Sequence, residues 1–209
     1  MMQDNPGREL ELCTKVVEGI WSERSDALLS SVPQMFQDAS LPNLGYKEKI
    51  IKDAVMDMFA ADGGKSKNIG VIFTGNPGSG KTYASYAVLK WVCEMNPEAV
   101  GLVASYADVV QKLRKEFTSD AYEDYGSVWE RLNSNKLIFL DDLSSQKPTD
   151  FETDKLLAFM DNRMNNYMPF LFTTNARPDE FDRVFGERLA SRFWGFCKMI
   201  EFEDRDKRI

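Results

Sequence analysis

The sequence predicts an α/β domain built on a parallel five-stranded sheet with helices on both faces. Short apolar segments alternate with segments of helical spacing in units of about 30 residues, the pattern of consecutive βαβ units. A glycine-rich loop of the form G-x-x-x-x-G-K-T lies between a predicted strand at residues 69–74 and a helical pattern at residues 83–91. A further strand, at residues 136–142, ends in two aspartates. Together these observations indicate an α/β domain that binds phosphate.

The composition favours one globular domain with a short appendage. The chain has 209 residues, of which 43% are hydrophobic and 28% are charged, and this balance supports a real core. No apolar run is long enough to cross a membrane, and the first residues lack the pattern of a signal peptide. We therefore expect a cytoplasmic protein with no membrane contact.

The residue types present restrict the chemistry. The sequence contains no histidine, and its three cysteines are isolated in apolar surroundings without metal-site spacing. Carboxylates, lysine, arginine, hydroxyls and a bound cation remain as the reactive groups. The net charge of −7 excludes a general basic surface for nucleic acid, so any DNA contact must come from a local cluster.

Residues 1–45 are predicted to be a helical N-terminal extension followed by a linker, and residues 46–209 the main domain. Apolar residues at helical spacing in the extension are Leu10, Cys13, Val17, Ile20 and Trp21, and Ser25 begins a second short helix. Prolines and a glycine indicate a linker at residues 33–45. Because such an extension cannot bury a core of its own, it either packs on the main domain or docks on a partner.

The remaining elements follow from hydrophobic periodicity and turn residues. Helices are predicted at residues 46–61, 108–117, 128–132, 150–167, 178–185 and 186–193, and strands at residues 99–104, 136–142, 169–175 and 198–202.

The glycine-rich loop is predicted to hold the phosphates of a nucleotide. Its glycines adopt backbone angles closed to other residues, and its N–H groups face the anion together with the N-terminus of the next helix. We expect Lys81 to reach the β- and γ-phosphates and the Thr82 hydroxyl to bind Mg²⁺. The predicted nucleotide-binding residues are Gly75, Asn76, Pro77, Gly78, Ser79, Gly80, Lys81, Thr82 and Tyr83.

Polar side chains at two strand ends are predicted to complete this site, because ligands bind at the carboxyl edge of a parallel sheet. Asp141 is expected to hold Mg²⁺ with Thr82. Asp142 is expected to polarise the attacking water. Asn175, after the strand at residues 169–175, offers an amide that orients the water or binds the γ-phosphate without adding negative charge.

Two groups of basic residues have open interpretations. Arg188 and Arg192 lie four residues apart on one helix face and form either surface salt bridges or an arginine finger that acts on a neighbouring subunit. Lys112, Arg114 and Lys115 form the densest basic cluster of the chain, which is either a solvated helix face or a local DNA contact.

These motifs, in this order and spacing, resemble those of AAA+ ATPases of the initiator and helicase-loader clade, and most of all the DnaC/IstB group, from about residue 36 onward. The resemblance implies ATP and Mg²⁺ as cofactors, self-association with ATP, and loading of a hexameric replicative helicase onto single-stranded DNA. By position it implies that Asn175 is the first sensor and Arg192 the finger. It also implies DNA contacts near Phe117, Thr149 and Phe151, which favours a DNA role for the basic cluster.

The sequence departs from that family in three places. Asp142 stands where the clade usually has glutamate, which predicts slow hydrolysis. The N-terminal segment is short for a loader. The sequence ends just after the last predicted strand, so we expect no C-terminal helical lid, with Arg205 or Arg208 as substitutes for a second sensor.

Three other functions compete with a helicase loader. An IstB-like transposition helper is disfavoured by the acidic charge, since it would bind duplex DNA. A nucleotide-switched interaction protein with little hydrolysis is compatible with Asp142. A small-molecule P-loop kinase is disfavoured by the predicted arginine helix and sensor strand.

Overall fold

The computed structural model describes residues 21–61, 66–96, 100–118, 128–134, 137–143 and 148–203. The strands are β1 (Trp21–Arg24), β2 (Gly70–Gly75), β3 (Val100–Ser105), β4 (Leu137–Leu143), β5 (Phe170–Thr174) and β6 (Cys197–Phe202). The α-helices are α1 (Ser25–Ser30), α2 (Lys47–Ala60), α3 (Lys81–Met95), α4 (Tyr106–Thr118), α5 (Val128–Ser134), α6 (Asp150–Asn165), α7 (Phe181–Phe185) and α8 (Glu187–Phe196). Short 3₁₀ turns occupy Gln34–Phe36, Leu41–Leu44 and Pro178–Glu180.

The strands form one sheet in the order β1-β3-β4-β5-β2-β6. Strands β2 to β6 are all parallel, which confirms the predicted five-stranded parallel sheet. Because parallel strands need crossover connections, the helices between them cover both faces. The glycine-rich loop after β2 and the polar ends of β4 and β5 therefore lie at the same carboxyl edge.

The sheet has a sixth strand that the sequence did not predict. Residues Trp21–Arg24 pair antiparallel with β3, with Trp21 opposite Val103 and Arg24 opposite Val100. The helical prediction for Trp21 was wrong. The edge of β3 has backbone groups that this segment can hydrogen-bond, and local sequence periodicity does not reveal such a partner. The predicted short helix after it is present as α1.

The described part of the N-terminal segment packs on the main domain. Leu28 and Val32 are buried against Leu89 and Cys93 of α3. Residues 33–45 are packed rather than extended, since Ala39 is fully buried in the core. The predicted helix that includes Leu10, Cys13 and Val17 lies outside the described residues, as do Arg205 and Arg208.

Alternate residues of each strand point into two cores, one on each face of the sheet. Val71, Phe73 and Phe139 pack with α2 and α3, whereas Ile72 and Phe172 pack with α4, α6 and α8. Within the described part of the chain, no helix is both long and apolar enough to span a lipid bilayer.

Strand β2 packs closely against β5 at Gly70, where there is no room for a side chain. Gly70 is paired with Phe170, and a Cβ built on Gly70 would lie 2.3 Å from the ring of Phe170. That ring has no free space to enter, because it is fully buried and contacts Phe159 and Phe172. The smallest residue is therefore required where β2 begins.

We predict that Gly70→Ala destabilises the protein by about 1–3 kcal/mol, because the added methyl overpacks the core. The measurement is the midpoint of thermal unfolding. Gly195→Ala is the matched control, since a Cβ at Gly195 meets nothing within 4 Å and alanine stabilises the helix α8. A Gly70→Ala protein as stable as wild type would contradict the packing argument.

Candidate functional site

The glycine-rich loop connects β2 to α3 at the carboxyl edge of the sheet. Gly78 and Gly80 have φ values of 75° and 100°, in the left-handed region that favours glycine. Gly75, with φ 124°, also passes so close to β6 that a Cβ there would lie 2.2 Å from the carbonyl oxygen of Phe202. These glycines allow the loop to curl over the first turn of α3.

Lys81 begins α3 and turns back over the loop. Its Nζ donates hydrogen bonds to the carbonyl oxygens of Gly75, at 2.8 Å, and Asn76, at 2.7 Å. The side chain is nearly buried. The structure thus places a cation directly above the loop that is predicted to hold phosphate.

Hydroxyl groups near this loop fit an anion ligand. The Oγ of Ser79 and the Oγ1 of Thr74 are buried and have no hydrogen-bond partner among the described residues. Leaving a buried hydroxyl unpaired costs free energy, so a protein keeps one mainly where a ligand or water satisfies it. Backbone donors, a lysine and unpaired hydroxyls are the groups that bind phosphate oxygens.

Asp141 connects three segments of the chain. The Oγ1 of Thr82 donates to its Oδ1 at 3.1 Å, and the Oγ1 of Thr173 donates to the same oxygen at 2.7 Å. Thr82 and Asp141 were predicted to hold Mg²⁺, and the structure brings their oxygens together. This pair fits Mg²⁺, which takes one or two protein oxygens and fills its remaining positions with phosphate oxygens and water.

Asp142 lies in an irregularity of β4. Leu140 pairs with Phe172 and Leu143 with Thr174, so β4 has one extra residue between these pairs. Asp142 has a φ of 57°, a left-handed conformation that aspartate tolerates better than most residues. Its backbone N–H donates to the Oγ1 of Thr173 at 2.8 Å, which fixes the unusual conformation.

The side chain of Asp142 contacts the predicted sensor. The Nδ2 of Asn175 donates to its Oδ1 at 3.0 Å. Removal from water raises the pKa of Asp142, the negative charge of Asp141 raises it further, and the charge of Lys81 opposes both. A carboxylate with a raised pKa holds a proton more readily than an ordinary aspartate, and this makes it a better general base.

Thr173 is a site residue that the sequence analysis did not assign. It accepts from the backbone of Asp142 and donates to the carboxylate of Asp141, so it positions both acids. Thr174 also links β5 to β4, since its Oγ1 donates a hydrogen bond to the carbonyl oxygen of Leu143. The sequence marked the polar end of this strand, but the role of Thr173 depends on which strand lies beside it.

Tyr83, a residue predicted to bind nucleotide, uses its hydroxyl to anchor the segment before α2. Its hydroxyl donates to the carbonyl oxygen of Asp38 at 3.0 Å and accepts from the Nδ2 of Asn43 at 2.9 Å. Lys90, further along α3, donates to the carbonyl oxygen of Gln37. The helix that carries the loop therefore also holds the chain that precedes the domain.

Arg192 lies on α8 and is paired within the same chain. Its Nε and Nη2 donate to the two carboxylate oxygens of Asp161 on α6, at 2.7 and 3.1 Å. Its Nη1 donates to the carbonyl oxygen of Arg188. Hydrogen bonding to Asp161 raises the pKa of Arg192, so the guanidinium is charged at every accessible pH. Among the described residues, none of its hydrogen bonds reaches the glycine-rich loop.

The residues predicted to bind DNA lie on α4 and at the start of α6. The Nη2 of Arg114 donates to the Oγ1 of Thr149 at 3.2 Å and contacts Oε1 of Glu152 at 3.3 Å, and its guanidinium lies 5.8 Å from the ring centre of Phe151. The structure therefore brings Arg114, Thr149 and Phe151 together. Lys112 is half-buried and Lys115 exposed on the same helix, and the side chain of Phe117 is outside the described part.

Sequence reasoning missed several neighbours of this cluster. Thr149 caps α6 in a reciprocal arrangement with Glu152, so an acidic side chain lies inside the basic cluster. Lys155 lies over the rings of both Trp129 and Phe151. Phe151 and Lys155 lie four residues apart on α6, and this spacing could have indicated that their side chains are in contact.

The fold and this site define the class of the protein: it is a P-loop nucleotide-binding ATPase domain of the AAA+ type. Residues 71–195 match the family model of the "ATPase family associated with various cellular activities", and the chain belongs to that family.

Solved structures share this fold. The DnaC helicase loader has a TM-score of 0.62 and 18% sequence identity, over 82% of this chain and 100% of that one. DnaI has a TM-score of 0.64 and 21% identity, over 85% of this chain and 94% of that one. The replication initiator DnaA, bound to AMPPCP and single-stranded DNA, has a TM-score of 0.59 and 18% identity, over 81% of this chain and 51% of that one.

We predict that Thr173→Val weakens nucleotide binding in Mg²⁺ and lowers hydrolysis, because both acids lose the hydroxyl that positions them. The measurement is nucleotide affinity with Mg²⁺ and with a chelator. Thr173→Ser is the control that restores the hydroxyl. Loss of affinity to the same extent in both conditions would indicate a general structural defect and contradict the positioning role.

Proposed function

We propose that this protein is an ATP-dependent loader that places a hexameric replicative helicase on single-stranded DNA when replication begins. The observation that supports the proposal is the likeness of its fold to the DnaC helicase loader over the full length of that solved chain. The residues predicted to bind nucleotide also lie together at the carboxyl edge of the sheet. A fold alone does not define a function, and the site supplies the chemistry.

In this proposal the loop and Lys81 bind the phosphates of ATP. Thr82 and Asp141 would hold Mg²⁺, which neutralises phosphate charge when bound. Asp142 accepts the proton of the attacking water, and its raised pKa suits that role. The amide of Asn175 donates to the carboxylate of Asp142 at 3.0 Å. When ATP binds, this amide leaves Asp142 and bonds the γ-phosphate or the attacking water.

Hydrolysis in this proposal requires a neighbouring subunit. Arg192 is a fixed positive charge on α8, and its partner Asp161 is about half exposed. The pair is bidentate but partly open to solvent, whereas a γ-phosphate in a dry subunit interface carries more negative charge and less screening, so it competes for the guanidinium. Arg192 therefore acts on the nucleotide of a neighbour once subunits have assembled.

The proposed DNA contact is the cluster on α4 and α6. Arg114 and Lys155 supply positive charge, and Phe151 supplies an aromatic face. Phosphate contacts and base stacking are the two parts of binding to a single strand. The acidic chain makes each contact weak, so several subunits side by side are needed.

A nucleotide-switched interaction protein with little hydrolysis is the second candidate. The observation that favours it is the contact between Asn175 and Asp142, which occupies the short carboxylate that would otherwise meet water. In that case ATP controls assembly and its hydrolysis contributes little.

The proposed function is tested by loading on circular single-stranded DNA, which has no end to thread through a helicase ring. Full-length protein, ATP and the replicative helicase of the same organism are mixed with a circle that carries an annealed oligonucleotide, and release of the oligonucleotide is measured. We expect ATP-dependent release that Lys81→Ala abolishes. The proposal is contradicted if the protein does not associate with the helicase and does not speed release of the oligonucleotide.

We predict that Arg192→Ala lowers ATP hydrolysis at least about 100-fold while leaving ATP affinity unchanged, since a finger acts mainly in the transition state. Hydrolysis is measured with single-stranded DNA present, and affinity with a fluorescent nucleotide. Arg183→Ala is the matched control, because Arg183 is an exposed arginine on α7 that forms an ion pair with Glu180.

Asp161→Asn separates the finger from its partner within the chain. Because Arg192 is then released from its ion pair, we expect hydrolysis at lower protein concentration than in wild type. Normal hydrolysis by Arg192→Ala would contradict the finger, and loss of hydrolysis in Asp161→Asn would show that the ion pair is needed rather than exchanged.

A further inference from the structure

Helix α2 and the residue before it carry an exposed stripe that the nucleotide site does not explain. Tyr46, Ile50, Asp53 and Asp57 follow one another at helical spacing, so their side chains lie on one side of the helix. Tyr46 is 74% exposed and Ile50 is 45% exposed, and both acids are exposed as well. Large apolar residues side by side on a surface are typical of a contact with another protein. We call these four residues the α2 stripe.

Tyr46 is held in place although it is exposed. The Nζ of Lys47 donates a hydrogen bond to its hydroxyl at 2.7 Å and lies 4.6 Å from the centre of its ring. Lys47 is itself nearly buried and also donates to the carbonyl oxygen of Glu201 at 3.0 Å. An aromatic side chain that is fixed before binding loses little conformational entropy when a partner covers it. Such aromatic residues are frequent among those that dominate the energy of an interface.

Helix α8 has an exposed face of matching character. Trp194 is 53% exposed, and its ring centre lies 5.9 Å from that of Phe181, which holds it against α7. Arg188 and Ser191 are exposed on the same side of α8, each three residues before the next. Because Ser191 is small, the ring of Trp194 is the largest apolar group on this side. We call Arg188, Ser191 and Trp194 the α8 face.

The charges of the two surfaces are complementary, since the α2 stripe carries two acids and the α8 face an arginine. Within the described residues, the side chains of Asp53, Asp57 and Arg188 form no ion pair. Lys49 and Glu187, the other exposed charges of α2 and α8, are of opposite sign as well. Complementary charges of this kind select a partner and fix its register.

The two surfaces cannot meet within one chain. Helix α2 packs with Val71 and Phe73 on one face of the sheet, whereas α8 packs with Ile72 and Phe172 on the other. A contact between them therefore requires two copies of the chain. Because the two surfaces differ, this contact is head-to-tail, and each copy keeps one surface open for a further copy.

We infer that the α8 face of one copy docks on the α2 stripe of the next, with Trp194 covering Tyr46 and Ile50. Arg188 then lies beside the acids of the stripe. The inference rests on the proposed function, which requires a neighbouring subunit, and it names the surfaces that join the two. Trp194 follows Arg192 closely on α8, and α2 begins beside the end of β6, which pairs with the start of the glycine-rich loop. One contact thus brings the finger of one copy toward the nucleotide edge of the next.

The test uses two variants of the full-length protein, each of which removes one surface. Trp194→Ala removes the aromatic anchor of the α8 face, and Tyr46→Ser combined with Ile50→Ser removes the apolar half of the α2 stripe. Molar mass is measured by sedimentation over a range of protein concentrations, with Mg²⁺ and a non-hydrolysable ATP analogue. We expect each variant alone to need at least about 10-fold more protein than wild type to assemble. Tyr167→Ser is the matched control, because Tyr167 is an exposed tyrosine of neither surface, and it is expected to assemble as wild type does.

An equal mixture of the two variants tests the pairing directly. The Trp194→Ala protein keeps an intact α2 stripe, and the double variant keeps an intact α8 face, so together they form one native contact and no second. We expect the mixture to form dimers at a concentration at which wild type forms larger assemblies and each variant alone is monomeric. Dimers in the mixture also show that both variants are folded.

The charge pairing is tested in the same assay with exposed residues alone, whose substitution leaves the core intact. Arg188→Glu is expected to raise the concentration needed for assembly, because it places like charges opposite each other. Asp53→Lys combined with Asp57→Lys in the same chain is expected to lower that concentration again. If these two substitutions fail to do so, the pairing of Arg188 with the acids of the stripe is overturned.

Each remaining outcome overturns the inference in a distinct way. If the mixture stays monomeric, the two surfaces do not bind each other. If either variant assembles at the same concentration as wild type, its surface lies outside the contact, and the proposed function survives with a different interface. If wild type itself stays monomeric with nucleotide, the neighbouring subunit that the proposed function requires fails together with the inference.

Discussion

The hydrogen bonds of Thr82 and Thr173 to Asp141 are the interaction on which the site depends. They join the first turn of α3, the end of β4 and the end of β5, which are far apart in sequence. Because Asp141 is a charged acceptor, each bond is stronger than one between neutral groups. Thr173 also accepts a hydrogen bond from the backbone of Asp142, so the positions of both acids depend on the alignment of β4 with β5.

That alignment is a property of the core rather than of the site. Strand β2 meets β5 at Gly70 and Phe170, and β4 meets β5 at Phe139 and Leu171. Apolar residues that fill both faces of the sheet hold these strands in register, because a shift of one residue would reverse which side chains are buried. The core therefore brings the polar strand ends to one edge, where the hydrogen bonds of Thr173 can form.

Local patterns in the sequence predicted the parallel strands, the glycine-rich loop and most helices, since periodicity and turn residues are local properties. Strand β1 was not predictable in this way, because its ladder depends on the free edge of β3. The role of Thr173 and the pairing of Arg192 with Asp161 also escaped prediction. Each depends on which elements lie side by side, and no spacing along the chain reveals that.

The groups assigned to catalysis are all held within the chain by other residues. Lys81 bonds loop carbonyls, Asn175 bonds Asp142, and Asp161 bonds Arg192. The bonds of Asn175 and Arg192 join partly exposed groups, and Lys81 can exchange its loop carbonyls for phosphate oxygens, so nucleotide and a neighbouring subunit can replace these bonds. In the proposed function the chain alone therefore keeps its reactive groups paired, and hydrolysis requires both ligands at once. The short side chain of Asp142 strengthens this dependence, because the aspartate must separate from Asn175 before it reaches water.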